Sequence, residues 1–223
     1  MEDPFKTIRD IVVKELQCSA HNIDHIDRVY NLCLKLSEEE NVDLEVIKVA
    51  ALLHDIARVK EDRDSTGATD HAVLGAQMAY SILKNLDFTE DKIKHIQDCI
   101  ITHRYRTGNI PQTKEAEILF DADKLDTIGV VGLARCFMWV GKNNAYLYRK
   151  VDIEDYIKEN LGGSIKGRIQ DASKHSVNIE YETKLKFIVD KLHTNKAKEI
   201  GKERIEYFKN FLDKLEKEIN GEL

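Results

Sequence analysis

The sequence predicts an all-α protein, and three observations support that prediction. Apolar residues recur at helical spacing along most of the chain, and no stretch shows sustained alternation of apolar and polar residues. The 223 residues include only 2 prolines and 11 glycines. Because these two residues are the ones that most often interrupt helices, their scarcity favours long helices.

Six helices are predicted over the first 125 residues, each from its apolar spacing or from a capping residue. In chain order they cover residues 5–17, about 19–40, the segment from the N-cap Asp43 to about residue 57, residues 71–86, the segment from the N-cap Thr89, and the segment from the N-cap Thr113 to at least Leu125. The polar segment 60–70 contains Gly67 and is predicted to be a loop.

The pattern changes in the C-terminal part of the chain. An apolar helix is predicted over residues 129–141, with Arg135 as its one charged residue. Residues 141–180 contain several helix-breaking residues and one predicted short helix at about 152–160, so we expect a connector there, with a mobile lid as the alternative. Residues 180–219 are predicted to be helical and richly charged.

Composition excludes several classes of protein. The chain has 34 Lys and Arg against 40 Asp and Glu, a net charge of −6, which argues against a dedicated nucleic-acid binder. No run approaches the roughly 20 apolar residues of a membrane span, and the N-terminus begins with acidic residues where a signal peptide has basic ones. The four cysteines are scattered without a CxxC pair. We therefore expect a cytoplasmic protein with reduced thiols.

Histidines and aspartates fall on the apolar faces of four predicted helices. His54 continues the apolar face of the third helix, and His25, His103 and Asp123 take comparable positions on the second, fifth and sixth. A single histidine in such a position is usually a hydrogen-bonded core residue. Four helices that each direct such a residue inward also fit a metal site, with Mn, Fe, Co, Ni or Zn preferred over Ca. Spacing alone leaves both interpretations open.

Taken together, these residues resemble a known family. His25, the His54-Asp55 pair in its Ala-Ala-Leu-Leu-His-Asp-Ile context, and Asp123 resemble the H…HD…D signature of the HD-domain superfamily of metal-dependent phosphohydrolases. The resemblance to small stand-alone microbial HD hydrolases extends over nearly the whole chain. It includes the strings His-x-x-x-His-x-x-Arg-Val at 21–29, Ile-Thr-His-Arg at 101–104, Asp-Ala-Asp-Lys-Leu-Asp-x-Ile-Gly at 121–129 and His-Thr-Asn-x-Ala at 193–197. One departure is Glu180-Tyr181, where the family pattern has His-Phe.

The resemblance implies a specific set of site residues. The implied metal ligands are His25, His54, Asp55 and Asp123. Asp121 competes with Asp123, which we prefer because it directly precedes Lys124. The implied catalytic residues are His71, His103 and Lys124, and the implied substrate-binding residues are Arg28, Lys124 and Arg135. Structural ion pairing is the alternative role for Arg28 and Arg135.

The resemblance also implies the fold and the activity. We expect an HD-domain helical bundle over residues 1–140, with a variable loop and C-terminal helices over 141–223 that pack on the same domain. The implied activity is hydrolysis of a phosphate ester or anhydride, most plausibly of a nucleotide, with one divalent metal ion, Mn or Mg being favoured. No membrane or nucleic-acid partner is expected, and the sequence does not define the oligomeric state.

Two other functions remain open at this point. One is a binuclear, di-iron oxygenase-like site, in which His71 and His103 join the four implied ligands. The other is a non-catalytic helical regulatory module that a metal stabilises. We expect one metal, because Arg104 and Arg106 follow His103 and would oppose a second dication. His71 is expected at an exposed, adjustable place near a helix start, on the phosphate side of the site.

Overall fold

The computed structural model describes residues 3–16, 23–104 and 108–223. These parts of the chain contain α-helices and short 3-10 turns but no strand, and one isolated bridge joins Tyr146 to Ser176. The all-α prediction is confirmed. The chain divides into two compact units, residues 1–123 and residues 124–223, called unit 1 and unit 2 below. His21 and Arg106, which the sequence patterns included, lie outside the described residues.

The described residues of unit 1 form six helices and most of a seventh. Their bounds are α1 Pro4–Glu15, α2 Ile23–Ser37, α3 Leu44–Leu53, α4 Arg58–Arg63, α5 His71–Lys84, α6 Glu90–Thr102 and α7 Lys114–Leu125. Helix α3 is central: it packs against α1, α2 and α6, and α5 packs along α6. This position explains why α3 is apolar on nearly all sides, with seven of its ten residues buried.

Side chains at the helix starts fix the ends of several elements of unit 1. Asp43 accepts hydrogen bonds from the backbone N–H groups of Glu45 and Val46, as the sequence predicted. Thr113 likewise accepts from Ala116 at the start of α7, at 3.2 Å. Thr89 stands at the N-cap of α6, but its side chain makes no capping hydrogen bond, so that part of the prediction is wrong.

The segment between α3 and the loop that begins at residue 64 differs from the sequence prediction. The third helix ends at Leu53, and a turn over 54–57 follows it. A six-residue helix, α4, occupies part of the segment predicted as a loop, which begins only at residue 64. Helix α4 has one buried apolar residue, Val59, and no side-chain cap. Its sequence therefore carries almost none of the periodicity from which longer helices are predicted.

Unit 2 contains four further α-helices. Their bounds are α8 Gly129–Lys142, α9 Ile153–Asn160, α10 Val177–Thr183 and α11 Asn195–Ile219. The short helix predicted at 152–160 is present as α9. The segment predicted to be helical over 180–219 contains the end of α10, two 3-10 turns at Leu185–Phe187 and Val189–Lys191, and α11. None of the helices in the described ranges combines the length and apolar character that crossing a membrane requires.

A buried polar chain lies in unit 2 beside the apolar cluster of Tyr156, Leu161 and Ile179. Asn160 donates to the Tyr156 hydroxyl at 2.7 Å, and that hydroxyl lies 2.7 Å from His175 Nδ1. His175 Nε2 donates to Glu180 at 3.1 Å. This chain of hydrogen bonds joins α9 to α10 across the segment between them.

Candidate metal centre

Four buried histidines and one aspartate meet at the centre of unit 1. Turn 54–57 supplies the HD pair, α2 supplies His25, α5 begins with His71, and His103 caps the end of α6. Each of these side chains is at most 5% exposed. His71 is therefore buried, and the sequence-based expectation of an exposed, adjustable position is wrong. Its burial follows from the packing of α5 along α6.

Asp55 is the centre of this group. Its Oδ2 atom lies 3.6 Å from His25 Nε2 and 3.9 Å from His54 Nε2. Its Oδ1 atom lies 3.3 Å from His71 Nε2 and 3.6 Å from His103 Nε2. One carboxylate thus faces two pairs of imidazoles, one pair from each of its oxygens.

Asp123 faces the same group from α7. Its Oδ1 atom lies 3.5 Å from His25 Nε2. Asp121, its competitor in the sequence, is fully buried. The structure thus brings together all four residues that the family resemblance names as ligands, and it adds His71 and His103 to the same cluster.

The hydrogen bonds of the imidazoles determine which nitrogen faces the centre. His54 Nδ1 lies 2.8 Å from the carbonyl of Ala51, and His103 Nδ1 lies 2.5 Å from the carbonyl of Ile100. A carbonyl oxygen only accepts, so each Nδ1 carries the proton and donates it. In the neutral imidazole the Nε2 atom then has a free lone pair, directed toward Asp55.

Burial favours the neutral form of two of these imidazoles, those of His54 and His71. Burial is the largest influence on His54 and lowers its pKa to about 4, against the opposing effect of Asp55. Burial also lowers the pKa of His71, although Glu61 and Asp55 oppose the shift. Burial alone would raise the pKa of Asp55, but the surrounding imidazoles hold it well below its ordinary value. An ionised carboxylate therefore lies beside two imidazoles whose neutral form is favoured by burial.

This donor set fits a divalent cation. Nitrogen lone pairs and carboxylate oxygens converge at 3.2–3.9 Å from one another, and acceptors at such distances repel unless a cation lies among them. Two overlapping sets of residues could hold a metal: His25 with His54 and Asp55, and Asp55 with His71 and His103.

Glu61 on α4 stands behind His71, and sequence reasoning missed it. Its Oε2 atom lies 2.6 Å from His71 Nδ1 and accepts from Arg58 Nη1 at 2.8 Å. Its Oε1 atom accepts from Arg104 Nη2 at 2.8 Å. Burial would raise the pKa of Glu61, but the hydrogen bond with His71 and the two guanidinium groups lower it to about 2.

Arg104 is held on its other side by Asp70. The distance from Arg104 Nη1 to Asp70 Oδ2 is 2.8 Å, and Asp70 also caps α5 through the backbone N–H groups of Ala72 and Val73. The positive charge of Arg104, which was expected to oppose a second dication, is thus paired with the carboxylates of Glu61 and Asp70. The only useful signal for Glu61 in the sequence was a polar segment close after the HD pair.

The remaining sequence-predicted residues are placed as follows. Arg28 is half-buried on α2, one turn beyond His25. Lys124 is 8% exposed in α7 and belongs to unit 2. Arg135 on α8 donates to the Asp126 carboxylate at 2.6 Å and to the Asp126 carbonyl at 3.2 Å. Ion pairing is therefore the contact that the structure gives to Arg135.

Comparison with known proteins agrees with this architecture. The sequence model of the HD domain matches residues 22–128, which contain every residue of the cluster described above. The chain belongs to the HD-domain superfamily.

Its relatives include bacterial proteins of similar length. Bacillus subtilis YpgQ is 29% identical over 206 residues, which cover 92% of this chain and 87% of YpgQ. The crystal structure of Bacillus subtilis YpgQ in complex with ADP matches with a TM-score of 0.70 and 28% identity, over 97% of this chain and 98% of that one. A Bacillus thuringiensis HD-superfamily hydrolase matches with a TM-score of 0.68 and 26% identity, over 97% and 95% of the two chains. Such neighbours suggest a hydrolase.

Proposed function

We propose that this protein is a metal-dependent phosphohydrolase that cleaves a phosphate ester or anhydride of a free nucleotide. The observation that carries the proposal is the buried cluster in which Asp55 faces the Nε2 atoms of four histidines. The structure of YpgQ with ADP supports a nucleotide as the ligand. The net charge of −6 favours a free nucleotide over a nucleic acid.

We assign the metal to His25, His54, Asp55 and Asp123, as one divalent ion, with Mn or Mg favoured. When bound, such an ion supplies a hydroxide nucleophile near neutral pH and polarises the phosphoryl group. The carboxylates of Asp55 and Asp123 balance the charge of the ion, and the hydrogen bond from His54 to Ala51 fixes the direction of its Nε2 lone pair.

The other residues act on the substrate and on protons in this proposal. His71 and His103 lie on the opposite side of Asp55 from His25, where they exchange protons with the attacking water or the phosphate. Arg28 offsets the negative charge of the transferring phosphoryl group, and the family resemblance implies the same role for Lys124. Arg135 has a supporting role through its ion pair with Asp126.

A screen of the metal-free protein tests the proposal. Nucleoside mono-, di- and triphosphates are offered with Mn, Mg, Co or Ni, and free phosphate and pyrophosphate are both measured. We expect metal-dependent release from at least one nucleotide and none from Asp55→Asn. Equal activity in wild type and in metal-free Asp55→Asn would contradict the proposal.

The second candidate function is a binuclear, oxygenase-like centre. The observation in its favour is the second group of potential ligands, Asp55 with His71 and His103. Protein loaded with iron would then bind two iron atoms per chain, show a di-iron absorption spectrum and consume oxygen. Release of phosphate with one metal per chain and no oxygen consumption would exclude this candidate.

A further inference from the structure

We infer that Glu61 is a positioning residue, which acts through His71 and holds its Nε2 lone pair toward the metal centre. This inference rests on the proposed function for its catalytic consequence, but not for its structural content. His71 is the only one of the three histidines His54, His71 and His103 whose Nδ1 atom faces a carboxylate instead of a backbone carbonyl.

The geometry of Glu61 specifies one tautomer of His71. A carboxylate that also accepts from Arg58 and Arg104 is ionised and only accepts, so the proton at the 2.6 Å contact belongs to His71 Nδ1. His71 Nε2, 3.3 Å from Asp55 and 3.2 Å from His103 Nε2, is then the lone pair. His71 therefore enters the reaction as a proton acceptor or a ligand.

The carboxylate also gives His71 a second property. When Nε2 takes up a proton, the imidazolium that forms lies against a negative charge at Nδ1. An aspartate hydrogen-bonded to a catalytic histidine fixes its tautomer and stabilises the imidazolium in the same way. Carbonyl partners, such as those of His54 and His103, fix the tautomer but supply no charge. Among these three histidines, His71 is the one built to pass a proton.

Two arginines fix the position of Glu61 itself. Arg58 and Arg104 approach different oxygens of the carboxylate, so it cannot rotate without breaking one of these ion pairs. Arg104 is tied through Asp70 to the first turn of α5, which begins with His71. These contacts connect Asp70, which directly precedes α5, with the orientation of the His71 imidazole.

Glu61→Gln is the variant that tests the inference. It keeps the shape of the side chain, but its amide must present an NH2 group to a donor, either Arg104 or the pair of Arg58 and His71. Asp62→Asn is the matched control, because Asp62 is the next residue on α4 and lies 3.4 Å from Arg58. It removes a neighbouring carboxylate without changing the group hydrogen-bonded to His71.

The first readout is nitrogen NMR of the histidine side chains in metal-free protein, with the His71 signals assigned by their absence in His71→Asn. We expect the Nδ1–H tautomer in wild type and in Asp62→Asn, and a population of the Nε2–H tautomer in Glu61→Gln. An Nε2–H tautomer of His71 in wild type, or an unchanged tautomer in Glu61→Gln, would overturn the inference. The tautomer of His71 in wild type tests the inference even if Glu61→Gln does not fold.

The second readout is steady-state kinetics on the nucleotide that the screen identifies. Loss of such a supporting partner costs about 10–100-fold in activity. We expect a fall of that size in kcat for Glu61→Gln, with KM changed less than about threefold, and less than a twofold change in kcat for Asp62→Asn. Equal kcat in wild type and Glu61→Gln would overturn the catalytic role. If wild type releases no phosphate at all, the proposed function fails, and the NMR result still decides whether Glu61 positions His71.

Discussion

Asp55→Asn is expected to abolish the stabilisation of unit 1 by a divalent cation. The carboxylate of Asp55 is the one group in the cluster that lies within 4 Å of all four imidazoles. Asparagine keeps the shape of the side chain but removes a full negative charge from a site that is 5% exposed. The cation then lacks the charge that compensates the loss of its hydration.

The size of the effect follows from binding linkage. A ligand at 100 times its dissociation constant stabilises the folded state by about 2.7 kcal/mol. For a chain of this size that corresponds to a rise in Tm of about 5–11 °C. Removal of one unit charge at about 4 Å costs about 4 kcal/mol at an effective dielectric constant of 20, more than the 2.7 kcal/mol of a 100-fold loss in affinity. At a 100-fold loss the rise falls to about 1–2 °C.

The assay is thermal unfolding with and without Mn²⁺, at a concentration 100 times the wild-type dissociation constant. Asp27→Asn is the control, since Asp27 lies on α2 two residues from His25 and makes an exposed ion pair with Arg9 at 2.7 Å. Such a pair contributes at most about 1 kcal/mol, and the control should keep the full metal-dependent rise. A full rise in Asp55→Asn would refute the assignment of Asp55 as a ligand.

Three further predictions concern other parts of the protein. Lys124→Met should keep its bound metal while kcat falls roughly 100-fold, because it removes a positive charge and not a ligand; elemental analysis beside kinetics checks this, and equal loss of metal would contradict it. His71→Ala and His103→Ala should each retain one metal per chain, as wild type does, and lose activity; two metals in wild type falling to one in either variant would favour the binuclear centre. The salt-bridged environment of Glu180 lowers its pKa although burial alone would raise it, so its contribution to stability is present above the unfolded pKa of about 4.3 and is lost as pH falls below it. The difference in urea midpoint between wild type and Glu180→Gln should therefore be larger at pH 7 than at pH 3.5, and an equal difference at both pH values would refute the reasoning.

The helical spacing of apolar residues made most of unit 1 predictable from the sequence. Helices α2, α3, α5 and α6 each bury a repeated apolar face, and Asp43 supplies a capping oxygen to the helix that directly follows it. The inward position of His54 could be predicted for the same reason. The end of α3 at Leu53 could not, because no Gly or Pro marks it and the turn is set by packing around His54 and Asp55.

The residues that hold His71 in position could not be predicted from the sequence. Glu61 lies on a helix of six residues, and its partners His71 and Arg104 lie 10 and 43 residues further along the chain. A polar segment of this composition is usually a solvated loop, and nothing in its spacing distinguishes one carboxylate from the next. Only the tertiary contact with His71 distinguishes Glu61 from Asp62.

The contacts of Glu180 within unit 2 explain the departure from the family pattern at Glu180-Tyr181. Glu180 accepts from Lys184 at 2.7 Å and from His175 at 3.1 Å, and His175 in turn contacts the hydroxyl of Tyr156. A histidine at position 180 would place an imidazole where His175 needs an acceptor and Lys184 needs a negative charge. Glu180 therefore belongs with the polar chain that joins α9 to α10, and a change at this position alone would leave the buried His175 without an acceptor and the partly exposed Lys184 without its ion-pair partner. The family difference at residue 180 is thus one member of a local set that has to change together.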